Sequence, residues 1–173
     1  MSLLFAEVLT NAKRPQLSEE LSGMLDKSHG GVGLTHAVAV TDLGGTGKTQ
    51  LVLRYIEEHE REYDAVLWID VWSEETARSS YERCRLALGL PVEAPLSDGP
   101  LQDVPSVQAL LSWRRGRDED NRWLAVVDNA DGLSWEVSGV VRKGKAGTVI
   151  VTSEDAQVTY VRSSLCAGTG SAL

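Results

Sequence analysis

Gly44-Gly45-Thr46-Gly47-Lys48-Thr49 is a run of small residues ending in a cation and a hydroxyl, with an apolar stretch before it and an amphipathic one after it. Against the pattern G-x-x-x-x-G-K-[ST], the segment from Asp42 to Thr49 matches at every fixed position but the first, where Asp42 replaces glycine. The chemistry such a loop performs is phosphate binding. Small residues let consecutive backbone N–H groups turn inward around phosphate oxygens, and the positive end of the following helix adds to their pull. Lys48 then brings a point charge to the outer phosphates and Thr49 offers a hydroxyl to Mg²⁺. The candidate nucleotide-contacting residues are Gly44, Gly45, Thr46, Gly47, Lys48, Thr49 and Gln50. Asp42 restores a Cβ and sets a carboxylate at the loop entrance, so the loop form is expected to survive with reduced affinity.

A phosphate loop of this kind needs an acid to complete a magnesium shell, and Trp123-Leu124-Ala125-Val126-Val127-Asp128 is an apolar run ending in one. Asp128 is the magnesium candidate beside Thr49, and Asp131, a helical turn further on, is the candidate to orient a catalytic water. The same Asp-Asn-Ala-Asp-Gly residues are good turn formers, which is the plainer reading of that segment. A third apolar run, Gly147 to Val151, ends in Thr152 and Ser153. Ligands of open parallel sheets bind at the carboxyl ends of strands, so Thr152 is a candidate contact to the outer phosphate, with an ordinary strand-end hydroxyl as the alternative.

The elements that must position these groups read as alternating strands and helices. Strand-like runs at His36 to Val40, Ala65 to Val71, Trp123 to Val127 and Thr148 to Val151 are nearly continuous in apolar character, as strands buried on both faces are. Helical spacing links Leu51, Val52, Tyr55 and Ile56, then Ala77, Tyr81, Cys84 and Leu88, then Val107, Leu110 and Leu111. Ser73 is placed to cap the second of these, with Glu74 and Glu75 in its first turn, and Pro105 to open the third. Such alternation predicts an α/β fold with a parallel sheet covered on both faces. One nucleotide-binding domain over residues 35–162 is expected, with an N-terminal segment at 1–34 and a small-residue tail at 163–173. The Pro-punctuated stretch between Leu90 and Pro105 is long enough to expect a mobile or functional loop.

The 173 residues are 42% hydrophobic and carry a formal net charge of −8. That balance argues against a nucleic-acid partner, which requires a basic face. Arg114-Arg115-Gly116-Arg117 and Arg142-Lys143-Gly144-Lys145 read as solvated helix ends. Cys84 and Cys166 have neither the spacing of a zinc site nor the number of a disulfide framework. With no basic leader and no apolar run long enough for a membrane span, a cytoplasmic location is expected.

Four blocks in order, LGGTGKTQLVLRY, AVLWIDVWSEETARSSYERCRLALGLP, RWLAVVDNAD and GTVIVTSEDA, resemble the nucleotide-binding domain of the NB-ARC class of STAND proteins, in the form found in fungal NOD-like receptors. The resemblance runs from about Ala37 to Val158, with a fainter match from Arg14 to Leu25 to the segment that closes over adenine. It implies a P-loop NTPase three-layer sandwich of the additional-strand type, the sensor strand lying between the strands of Walker A and Walker B. It further implies ATP or ADP with Mg²⁺ as cofactors, and a signalling switch in which exchange of ADP for ATP drives homotypic or heterotypic assembly with related NTPase domains. Either a piece of a longer receptor or a short paralogue is expected.

Two positions depart from the family's pattern. Glu154 stands where relatives commonly carry an arginine toward the γ-phosphate, and Asp42 stands at the loop entrance. Both set acid near phosphate, so weak or absent hydrolysis is expected, with diphosphate binding better preserved. A degenerate P-loop domain serving as a protein-interaction module is the alternative. Gly44 to Thr49 also suit an ATPase of the partitioning type, but the signature lysine of that loop would fall on Leu43.

Overall fold

The four strand-like runs form one parallel sheet in the order β1-β4-β3-β2. A computed structural model describes residues 15–26, 36–41, 44–92, 99–117, 122–131 and 147–155. The strands are β1 (His36–Thr41), β2 (Ala65–Asp70), β3 (Trp123–Asp128) and β4 (Thr148–Ser153). The helices are α1 (Pro15–Asp26), α2 (Lys48–His59), α3 (Glu74–Ala87) and α4 (Pro105–Arg115). The sheet with helices on both faces is the expected α/β P-loop sandwich, and β4 does lie between β1 and β3.

Why these strands read as continuous apolar runs is clear from their place. β3 and β4 occupy the middle of the sheet and every residue of both is buried. One face packs Leu67, Ala125, Val127, Val149 and Val151 under α3 and α4; the other packs Val38, Leu124, Val126 and Ile150 under α1 and α2. Register then decides what happens at the carboxyl edge. Thr41 pairs with Ser153 and Asp70 with Asp128, so the polar residues that end the strands form one row.

Helix starts follow the sequence signals. Ser73 caps α3 through a reciprocal box, its Oγ accepting from the Thr76 N–H at 3.1 Å while its own N–H donates to Thr76 Oγ1 at 2.9 Å. Pro105 opens α4, where its missing N–H costs no helical hydrogen bond. The expected loop before α4 is anchored at its end: a short 3₁₀ turn at Leu101–Asp103 buries Leu101, and Val104 follows it into the core. Residues 93–98 lie outside the description. No helix among the described residues is long and apolar enough to cross a membrane.

The reading of Arg114-Arg115-Gly116-Arg117 as a solvated end is corrected at its first residue. Arg114 is 4% exposed, and its guanidinium carbon sits 4.2 Å from the centroid of the Trp123 ring. It extends the stripe of Val107, Leu110 and Leu111 by one turn, so the helical period carries it inward. Burial pulls its pKa down to about 10, opposed by Tyr81, which leaves it charged at neutral pH above an aromatic face. The second basic cluster, at 142–145, and Cys166 lie outside the described residues.

Trp123 also fixes the entry to β4. A Cβ on Gly147 would fall 1.9 Å from Trp123 Cε2 and 2.1 Å from Cζ2, so the backbone crosses directly over the indole. Gly147→Ala is therefore expected to cost about 1–3 kcal/mol through overpacking, read as a lower urea midpoint with an unchanged m-value. An unaltered midpoint would mean that Trp123 has room to move.

Candidate functional site

The loop after β1 turns on two glycines with positive φ, Gly45 at 74° and Gly47 at 87°. Gly47 is the N-cap of α2 and, as glycine, brings no side chain of its own to cap it. Its first turn thus presents main-chain N–H groups at the carboxyl edge of the sheet, with Lys48 as the first helical residue. Lys48, Thr46 and Thr49 are partly buried; Gly44, Gly45, Gly47 and Gln50 are exposed. Asp42 and Leu43 lie outside the described residues.

Three residues picked out by separate motifs meet here. The Thr49 hydroxyl donates to Asp128 Oδ1 at 3.1 Å, tying the start of α2 to the end of β3. Thr152, from the intervening β4, donates to the same oxygen at 2.5 Å and accepts from the Asn129 N–H at 3.0 Å. Asp128 is 5% exposed. Burial pushes its pKa up, the hydroxyls of Thr152 and Thr49 push it back, and the neighbouring charge of Asp70 raises it again. A buried, partly compensated carboxylate facing a loop hydroxyl is an oxygen donor set of the hard kind that Mg²⁺ takes, with phosphate and water completing the shell. Thr49 and Asp128 therefore fit the metal expected at this place. Among the described residues no three His, Cys, Asp or Glu side chains converge as a metal cage.

Asp131 is reached differently from expectation. Residues 129–131 form no helical turn; instead Asn129 adopts a left-handed conformation with φ 62°, one that asparagine tolerates better than most residues. This bend lets the Ala130 N–H donate to the Thr152 carbonyl at 2.8 Å and carries Asp131 across to the end of β4. There Asp131 Oδ1 accepts from the Ser153 hydroxyl at 2.9 Å and from the Glu154 N–H. Asp131 is thus engaged in holding residues 153–154.

One feature escaped the motif reading, and a second, already singled out for its charge, gains its place from the fold. Asp70 accepts from the Asn129 side-chain amide at 3.1 Å and from the Trp72 N–H at 3.0 Å, joining β2 to the same edge. The signal was present, since β2 and β3 both end in aspartate, but only parallel register aligns them. The second is Glu154, whose carboxylate lies on the phosphate loop. A Cβ on Gly44 would come within 2.6 Å of Glu154 Oε1 and 3.4 Å of Oε2.

No family model matches the chain, and no curated protein matches it. Among solved structures it is similar to Cdc6p from Pyrobaculum aerophilum, with 16% identity and a TM-score of 0.53, over 82% of this chain and 39% of that one. It is also similar to the Aeropyrum pernix ORC2 protein in its ADPNP-ADP complexes, at 18% identity, TM-score 0.46, and 87% and 43% coverage. The ADP form of that protein gives 14% identity, TM-score 0.49, and 94% and 47% coverage. The chain spans less than half the length of these structures. At 16% identity the likeness to Cdc6p shows the fold, in agreement with the sheet order and the loop described above.

Proposed function

We propose that the chain is a nucleotide-binding P-loop module of the NB-ARC kind, holding ATP or ADP with Mg²⁺ and hydrolysing slowly or not at all. One observation carries the reading: Thr49, Asp128 and Thr152 converge through a shared carboxylate oxygen at the start of a helix whose N-cap is glycine. The amides of Gly44 to Gly47 would receive phosphate oxygens, Lys48 would meet the outer phosphate, and Gln50 lies in the first turn behind them. Thr49 and Asp128 would hold Mg²⁺, which when bound screens the charge between adjacent phosphates. Asp131 is the proposed water-orienting residue, and its engagement with Ser153 and Glu154 supports slow turnover.

Within this proposal the module works in the cytoplasm as a signalling switch that associates with related NTPase domains, in the manner of a NOD-like receptor. A non-hydrolysing module that acts only by protein contact is the second reading. It draws on Trp72, which is 72% exposed where β2 leaves the sheet. Hydrogen exchange separates the two. Mg-ADP is expected to slow exchange of the amides from Gly44 to Gln50, and Lys48→Ala to remove that protection. Unchanged exchange at saturating Mg-ADP, with no binding of labelled ADP, would leave the second reading standing.

A further inference from the structure

We propose that Glu154 sets the number of phosphates the site accepts, making it selective for a nucleoside diphosphate; the inference rests on the nucleotide-binding reading above. Strand order places the end of β4 between the phosphate loop, which follows β1, and Asp128, which ends β3. Phosphates received by the loop amides, with Mg²⁺ held by Thr49 and Asp128, would have that end of β4 as their neighbour. Glu154 is the residue there; it is exposed, and its carboxylate lies beside Gly44.

The placement is built rather than incidental. The main chain of Glu154 is fastened to Asp131, Asp131 is fastened to the fully buried Ser153, and the Asp155 N–H donates back to Ser153 Oγ at 3.0 Å. With the main chain pinned on both sides, the exposed side chain of Glu154 starts from a fixed point, and Gly44 lies within its reach. The surrounding charges add to the exclusion, since Asp70, Asp128 and Asp131 line the same edge and Lys48 is the one cation supplied by residues 44–50. A diphosphate ends before this point and meets the carboxylate at a distance. A triphosphate brings a further anionic group onto it.

The test is paired titration of Mg-ADP and Mg-ATP against the wild-type chain, Glu154→Gln and Glu154→Ala, with melting curves to confirm that each is folded. Wild type is expected to prefer ADP by roughly tenfold or more, the scale of a close like-charge contact. Glu154→Gln, which keeps the shape and removes the charge, should tighten ATP by about that factor and leave ADP within about twofold. The wild-type preference should also shrink as salt is raised. If wild type binds both nucleotides equally, or Glu154→Gln shifts both alike, Glu154 is not the discriminator, although nucleotide binding stands. If wild type binds neither, the nucleotide-binding reading fails and this inference fails with it.

Discussion

Asp128→Asn is expected to raise the melting temperature of the magnesium-free protein by a few degrees, and to weaken its Mg-nucleotide affinity on the order of a hundredfold. The two effects have one origin. Asp128 is almost wholly buried at the end of a central strand, in register with a second carboxylate, Asp70. Burial and that neighbour both raise its pKa, and the hydroxyl bonds from Thr152 and Thr49 offset only part of the rise. In the folded chain the ionised form is therefore costly unless a cation is present. Asparagine keeps an oxygen to accept from Thr49 and Thr152 while removing the charge, so the fold gains what the proposed metal site would lose.

The sign with pH follows from the direction of the shift. A carboxyl whose pKa is higher in the folded than in the unfolded chain binds its proton more tightly when folded. Its penalty is absent below the ordinary aspartate range, grows as pH rises toward the folded-state value, and is complete above it. The gap in melting temperature between Asp128→Asn and wild type should thus be widest at neutral pH and close on acidification. Melting curves in a chelator across a pH series read this directly. A variant less stable than wild type at neutral pH would mean that Asp128 is a net structural asset even without metal.

Much of the scaffold could be read from local pattern because local forces decide it. Continuous apolar runs mark β3 and β4 since both are covered on both faces, and Ser73 and Pro105 mark helix starts since capping acts over one turn. The strands extend slightly beyond the apolar runs at Thr41, Asp128 and Ser153, because pairing continues into the polar residues that form the site. What the pattern does not carry is contact between segments far apart in the chain. Thr49 and Asp128 are separated by 79 positions and Thr152 and Asp128 by 24; the second pair meets because β4 is inserted beside β3, and the first because α2 starts over the same edge. The same insertion lays Glu154 on Gly44. Its inverted charge was visible in the sequence, whereas the surface it covers was not. Arg114 is the opposite case, since helical spacing already put it on the buried stripe and only its charge suggested solvent.

Gly47→Ala is expected to weaken ADP binding by more than tenfold while costing the fold only about 1–2 kcal/mol. Gly47 sits at φ 87° and ψ 24°, a left-handed conformation that a Cβ disfavours through its own backbone. The space around it is open: an added Cβ would meet nothing within 4 Å. The substitution thus introduces local strain without a clash, unlike Gly147→Ala, and the chain can relieve that strain by turning the peptide groups at the start of α2. Those groups are the ones proposed to receive phosphate, so relief of strain would come at the expense of that site. Gly23→Ala supplies the control, since Gly23 lies in α1, also has nothing within 4 Å of its added Cβ, and carries no positive φ. It should leave ADP affinity unchanged and add about 0.5–1 kcal/mol to stability. Parallel ADP titrations and urea unfolding of both variants distinguish the loop's geometry from a general effect of adding a methyl group. ADP binding by Gly47→Ala as tight as wild type would show that the main-chain amides around residue 47 are not what holds the phosphates.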